Sequence, residues 1–167
     1  MSRRLRSPNW SPTHGAWAVR KHDRNIKDDQ IKACAHTGGV VGLNGVAPFL
    51  SEDSYDISAP TLFQHLDYIV ELVGLEHVGL GLDYVPEQNE PNDFGMKLLA
   101  EMARRYGADQ YPPVDRLAVA GPSVTTPLIE EMIGHGYTDQ HIRAILGENW
   151  MRVFAVRLVT VRRRRES

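Results

Sequence analysis

Two rhythms of hydrophobic and polar positions run along this chain. Val40-Val41-Gly42-Leu43-Asn44 is short, apolar and β-branched, bounded by glycine and proline, and reads as a buried strand. His77-Val78-Gly79-Leu80-Gly81-Leu82-Asp83 reads as a second, with a polar residue at its C-terminal end. Between them Leu62, Leu66, Ile69, Val70 and Val73 recur at helical spacing. Residues 61–73 therefore predict a helix with one apolar face, Pro60 suited to its first turn and Gly74 ending it. An earlier helix is expected after Asn25 as its cap, with Asp28 and Asp29 in the first turn and Gly38-Gly39 as the stop. Met96 to Tyr106 reads as helical, as do residues 127–134 and 139–156, the last capped by Thr138. Residues 1–13 read as a loop or ragged start, 86–95 as a loop, and 107–126 as a long loop rich in proline, glycine and threonine.

Strands alternating with helices imply parallel pairing and an α/β fold. Parallel strands are buried on both faces, which accounts for their continuous apolar runs. A third candidate strand ends near His14. Three strands are too few for a closed eight-stranded barrel, which takes about 250 residues. The sheet is then either small and open or part of a barrel.

Composition narrows the classes. A chain of 167 residues, 42% apolar and 24% charged, builds one globular core. Its formal net charge of −2 excludes a general nucleic-acid binder. Basic residues gather at the ends, in Arg3, Arg4 and Arg6 and in Arg157 and the run 162–165. They read as solvated termini, or else as a tail for anionic lipid or nucleic acid. The single cysteine, Cys34, rules out an internal disulfide framework and reads as helix packing. No apolar run approaches the roughly 20 residues of a spanning helix, and the start lacks a signal-peptide pattern. A soluble, cytoplasmic chain is the expectation.

Three residues carry candidate chemistry. Asp83 ends an apolar strand, the place where α/β folds build sites. It serves either as a metal-associated carboxylate and proton carrier or as a loop cap. His14, in Pro12-Thr13-His14-Gly15, is a zinc ligand or an exposed loop histidine. Arg24 is a clamp for a substrate carboxylate or a partner in a surface ion pair. His65 and Asp67 have a His-x-Asp spacing, but on a helix i and i+2 face apart, so they are set aside. Gly79-Leu80-Gly81 lacks the third glycine of a dinucleotide loop.

Several motifs together resemble one family. They are Thr13-His14-Gly15, His22-Asp23-Arg24-Asn25-Ile26, Thr37 to Gly42, the helix His65 to Gly74, the strand His77 to Asp83, and Gly136 to Asp139 with Ile145 to Phe154. In order and spacing, residues 12–156 are similar to the C-terminal part of the membrane (renal) dipeptidases, zinc peptidase family M19. The resemblance implies a (β/α)₈ TIM-barrel metal hydrolase, here incomplete, with a dipeptide as substrate. It implies two zinc ions per complete site, activating a water against the amide. It matches His14 to a zinc-binding histidine, Arg24 to the arginine that holds the substrate carboxylate, and Asp83 to the acid that handles the proton. The family's His-x-Asp pair, bridging glutamate and other histidine have no match here, and Val85 stands where many members carry a second acid.

The domain reading is a ragged segment 1–12, a partial barrel over 13–156 and a basic tail 157–167. The leading functional expectation is a zinc-dependent dipeptidase, represented by a fragment lacking most metal ligands. The alternative is a non-catalytic barrel remnant that self-associates or binds a partner. A homodimer is compatible with either.

Overall fold

The computed structural model describes residues 11–84, 93–107 and 118–155. Its frame is three parallel strands, β1 (Ser11–His14), β2 (Val41–Leu43) and β3 (Val78–Leu80), in that spatial order. Strands β2 and β3 coincide with the two apolar runs. Strand β1 ends at His14, as the third candidate strand does, but it begins inside the stretch read as irregular, because Ser-Pro-Thr-His carries no apolar signal. Pairing with Val41 and Leu43 makes it a strand, which is tertiary context overriding local preference. Its register is irregular between Ser11 and His14, where Pro12 has no N–H to donate.

Every crossover carries helix. Helix α1 (Asp28–His36) links β1 to β2; α2 (Ala47–Leu50) and α3 (Ala59–Val73) link β2 to β3. Then follow α4 (Asp93–Tyr106), α5 (Thr125–Gly134) and α6 (Asp139–Arg143). Ala144–Glu148 winds as a π-helix, and residues 149–155 return to α-helix. The long helix read over 139–156 is thus interrupted. Thr138 does cap it, its Oγ1 accepting from the His141 N–H at 3.3 Å.

Asn25 does not cap α1. The cap is Lys27, whose N–H donates to Gln30 Oε1 at 2.9 Å, because the Asn25 amide is engaged elsewhere. Helix α2, unsignalled by periodicity, is four buried residues with Pro48 in its first turn. Helix α4 begins at Asp93, within the segment read as a loop, and α5 begins at Thr125, earlier than its apolar pattern. The loop residues 85–92 and 108–117 and the basic ends, 1–10 and 156–167, lie outside the described residues.

Helix α3 is central. Leu62, Leu66 and Ile69 are fully buried, and α3 packs on α1, α5 and the sheet. Ile31 and Cys34 of α1, Leu128 and Met132 of α5, and Val41, Leu43 and Val78 complete one core. Each fully buried aliphatic side chain contributes about 1.5–3 kcal/mol, enough to outweigh the missing local signals at β1 and α2. Gly42 and Gly79, paired in register, face the other way, where Trp150 crosses them. Trp150 Nε1 donates to Leu80 O at 3.0 Å, and Asn149 Nδ2 donates to Leu75 O and Val78 O. Among the described residues no helix is long and apolar enough to cross a membrane.

Candidate functional site

Parallel strands end on the same edge of the sheet. At that edge stand His14, closing β1; Asn44, just past β2; and Asp83, just past β3. Backbone bonds continue beyond the strands: Asn44 N–H to His14 O at 3.3 Å, and Gly81 N–H to Leu43 O at 3.0 Å. The Asn44 side chain then bridges all three strand ends. Its Oδ1 accepts from the Val46 N–H at 2.5 Å, which leaves Nδ2 to donate to Thr13 Oγ1 at 3.3 Å and Asp83 Oδ2 at 3.4 Å.

Asp83 is exposed and has φ of 62°, the left-handed region, alone among the described non-glycine residues. That conformation costs about 1–3 kcal/mol for most side chains, and aspartate bears it better than most. Here it brings the carboxylate back toward Asn44 at the sheet edge.

His14 is half-buried, and its Nδ1 lies 2.7 Å from Arg24 O. A carbonyl only accepts, so Nδ1 carries the proton and the lone pair falls on Nε2. Burial lowers the His14 pKa below the ordinary histidine value. The Arg24 carbonyl opposes this, the Arg24 charge adds to it, and the Asp83 charge opposes it. The neutral imidazole, the form a cation binds, is favoured. A ring N–H fixed on a backbone carbonyl is also the usual support of metal-binding histidines.

Arg24 is held from both sides of its own backbone. Its N–H donates to His22 Nδ1 at 3.1 Å and its carbonyl takes the His14 proton. The exposed guanidinium sits 5.9 Å from the Phe49 ring centre. His14 and Arg24 share an open cavity of about 690 Å³ with Trp17, Lys27, Asp29 and Gln30. Lys21 and Lys27 each place an ammonium over the Trp17 ring, at 5.5 and 5.6 Å, and the cavity lining sets Arg24 and Lys27 beside the acids Asp23 and Asp29. Asp83 is not part of the cavity wall. It is linked to His14 through Asn44, which bonds both Asp83 and the His14 carbonyl, and through its charge at the His14 ring.

His65 and Asp67 lie on α3 and do not converge. His65 is fully buried, accepting from the Ala16 N–H at 2.9 Å and donating from Nε2 to Leu50 O at 2.9 Å. Asp67 accepts from the Tyr137 hydroxyl at 2.7 Å. Asn44 was legible by the rule that singles out Asp83, a polar residue ending a buried strand. Nothing in spacing marks the buried role of Asn25.

Zinc takes three or four protein ligands in most sites. Among the described residues no group of three or more histidine, cysteine, aspartate or glutamate side chains could hold a metal ion. His14 and Asp83 alone do not fit a complete zinc site.

Comparison with known proteins is consistent across sequence and structure. The family model for membrane dipeptidase, peptidase family M19, matches residues 11–112, which include His14, Arg24 and Asp83. An uncharacterized protein in the pqqA 5' region of Klebsiella pneumoniae is 34% identical over 110 residues, covering 62% of this chain and 41% of that protein. The fold is similar to an amidohydrolase from Pseudomonas aeruginosa, with a TM-score of 0.67 and 24% identity, covering 89% of this chain and 45% of that one. It is also similar to a metallo peptidase from Rhodobacter sphaeroides liganded with a phosphinate mimic of the dipeptide L-Ala-D-Ala. There the TM-score is 0.57 and the identity 24%, over 88% of this chain and 35% of that one. The chain thus spans less than half the length of these relatives. With that family model matching more than half of its length, the chain belongs to the membrane dipeptidase family, peptidase family M19.

Proposed function

We propose that this chain is the C-terminal part of a (β/α)₈ barrel that serves a metal-dependent dipeptidase. In this reading Arg24 clamps the substrate, Asp83 moves the proton and His14 offers one metal ligand. The observation that carries it is the His14 Nδ1–H bond to the Arg24 carbonyl, which joins an imidazole and a guanidinium in one cavity at the strand ends. Three consecutive parallel strands with helical crossovers suit an arc of such a barrel. The phosphinate dipeptide mimic on the Rhodobacter relative supports a dipeptide as the substrate class.

The chemistry follows from the residues. The Arg24 guanidinium takes the substrate's C-terminal carboxylate through two parallel hydrogen bonds. That anchor fixes which amide lies over the sheet edge, and a longer peptide carries its carboxylate elsewhere. Water adds to the amide carbonyl and the carbon–nitrogen bond breaks. Asp83 accepts the water's proton and returns it to the departing amine. The described residues do not complete a zinc site, so no step is assigned to a metal here.

The same shortage of ligands favours a second reading, a non-catalytic barrel remnant that self-associates through its outer strands β1 and β3. Dipeptide hydrolysis and sedimentation of the purified chain, with zinc supplied, separate the two. Hydrolysis that falls with Arg24→Ala and Asp83→Asn supports the dipeptidase. Less than one tightly held zinc per chain is expected in either reading, so the remnant is supported by concentration-dependent association in sedimentation together with no hydrolysis and no response of Arg24 and His14 resonances to a dipeptide.

A further inference from the structure

The segment after His14 leaves strand β1 and folds back so that Ile26 pairs beside its own start. Ala16 and Ile26 form a parallel bridge, with Trp17 N–H to Ile26 O at 2.9 Å and Ile26 N–H to Gly15 O at 3.1 Å. Inside this loop sits Asn25, 6% exposed. Its Oδ1 accepts from the Gly15 N–H at 2.9 Å, and its Nδ2 donates to Arg20 O at 2.9 Å and Phe49 O at 2.6 Å. Gly15 directly follows His14, and Asn25 directly follows Arg24. One side chain therefore ties the two site residues together through their neighbours. His65 holds the next amide, Ala16 N–H, from the core side. A Cβ on Gly15 would stand 2.7 Å from Asn25 Oδ1 and 2.9 Å from His65 Nδ1, so only glycine admits both anchors.

We propose that Asn25 is a positioning residue: its buried amide sets the separation of His14 from the Arg24 carbonyl, and so fixes the imidazole as its Nδ1–H tautomer with Nε2 bare. His65 acts as the second anchor of the same strand end. Three hydrogen bonds from one side chain, all to backbone, hold shape rather than touch substrate, so Asn25 is not a catalytic residue. The proposal rests on the assignment of His14 and Arg24 to one site, but its readout needs neither metal nor hydrolysis.

The test is a long-range proton–nitrogen spectrum of the histidine rings at pH about 8, above the ordinary histidine pKa of about 6.5. In the unaltered chain His14 shows a protonated Nδ1 and a bare Nε2. In Asn25→Ala those two signals move toward each other as the tautomers mix, while His77, bonded to the Gly39 carbonyl, keeps its own pattern. Ile69→Val, a core change of ordinary cost on α3, leaves His14 as it was. A folded Asn25→Ala chain with His14 still wholly in the Nδ1–H form overturns the proposal. Should Asn25→Ala not fold, hydrogen exchange in the unaltered chain decides. Gly15 N–H and the Asn25 side-chain amide protons exchange as slowly as core amides if Asn25 anchors the loop, and exchange at exposed-amide rates overturns it. Dipeptide hydrolysis, present or absent, bears on the proposed function and leaves this result standing.

Discussion

Replacing His65 by leucine isolates a buried polar anchor from the packing around it. Leucine fills much of the imidazole volume, so little cavity is left. Both hydrogen-bond partners remain, however: the Ala16 N–H and the Leu50 carbonyl, each 2.9 Å from a ring nitrogen. A buried donor or acceptor stripped of its partner costs about 1–3 kcal/mol, so the pair costs about 2–6 kcal/mol, offset in part by the easier burial of an apolar side chain. The cost has a pH signature. Burial lowers the His65 pKa, and the Leu50 carbonyl opposes this only in part. Between the folded value and the unfolded value of about 6.5, the unfolded chain binds more protons, so stability rises with pH. The contribution of His65 is full above about 6.5 and is lost as pH falls through that window. His65→Leu has no such loss. The stability gap between the two chains is therefore widest near neutrality and narrows in acid, while other histidines titrate in both and cancel. Urea midpoints with an unchanged denaturant slope, taken across that range, measure the gap. A gap below about 1 kcal/mol at neutral pH, or one independent of pH, refutes the account of His65 as a neutral double anchor.

Other expectations follow from the same geometry. Asp83→Asn keeps a residue that tolerates φ of 62°, so unfolding midpoints stay within about 0.5 kcal/mol, while kcat in the metal-loaded active protein falls by about 10²–10⁴. Equal loss from both, read by urea unfolding and dipeptide turnover, assigns Asp83 to structure. Gly79→Ala places a methyl within 3.0 Å of the Trp150 indole, so the Trp150 ring shifts and its N–H bond to Leu80 O breaks. The expected cost is about 1–3 kcal/mol, with a moved indole N–H resonance as its mark. Thr138→Ala removes the cap on α6 and costs about 1 kcal/mol by the same unfolding assay.

Much of this architecture is legible in the sequence, and the exceptions have physical causes. Strands β2 and β3 and helix α3 are visible because burial on one or both faces writes itself into apolar runs and helical spacing. Strand β1 is visible only by its end at His14, where the third candidate strand ends; its start at Ser11 carries no apolar signal, because the four residues owe their form to the neighbouring strand. The π-helical turn after α6 leaves no trace in hydrophobic period; directly after it, Asn149 and Trp150 donate to the Val78 and Leu80 carbonyls of β3. At the site, His14, Arg24 and Asp83 are chosen by residue type and position. What joins them is carried by two asparagines that look unremarkable in a list of residues. Asn25 has the composition of a helix cap, but two carbonyls and one amide claim its side chain before α1 begins.

The central claim is that His14 and Arg24 form one end of a dipeptide site. Titrating the isotope-labelled chain with a dipeptide, and in parallel with the same dipeptide amidated at its C-terminus, tests it most directly. The account predicts that the free acid shifts the Arg24 guanidinium and His14 ring resonances together, that the amide does not, and that Arg24→Ala abolishes the response. Equal shifts from acid and amide, or shifts that survive Arg24→Ala, would contradict it.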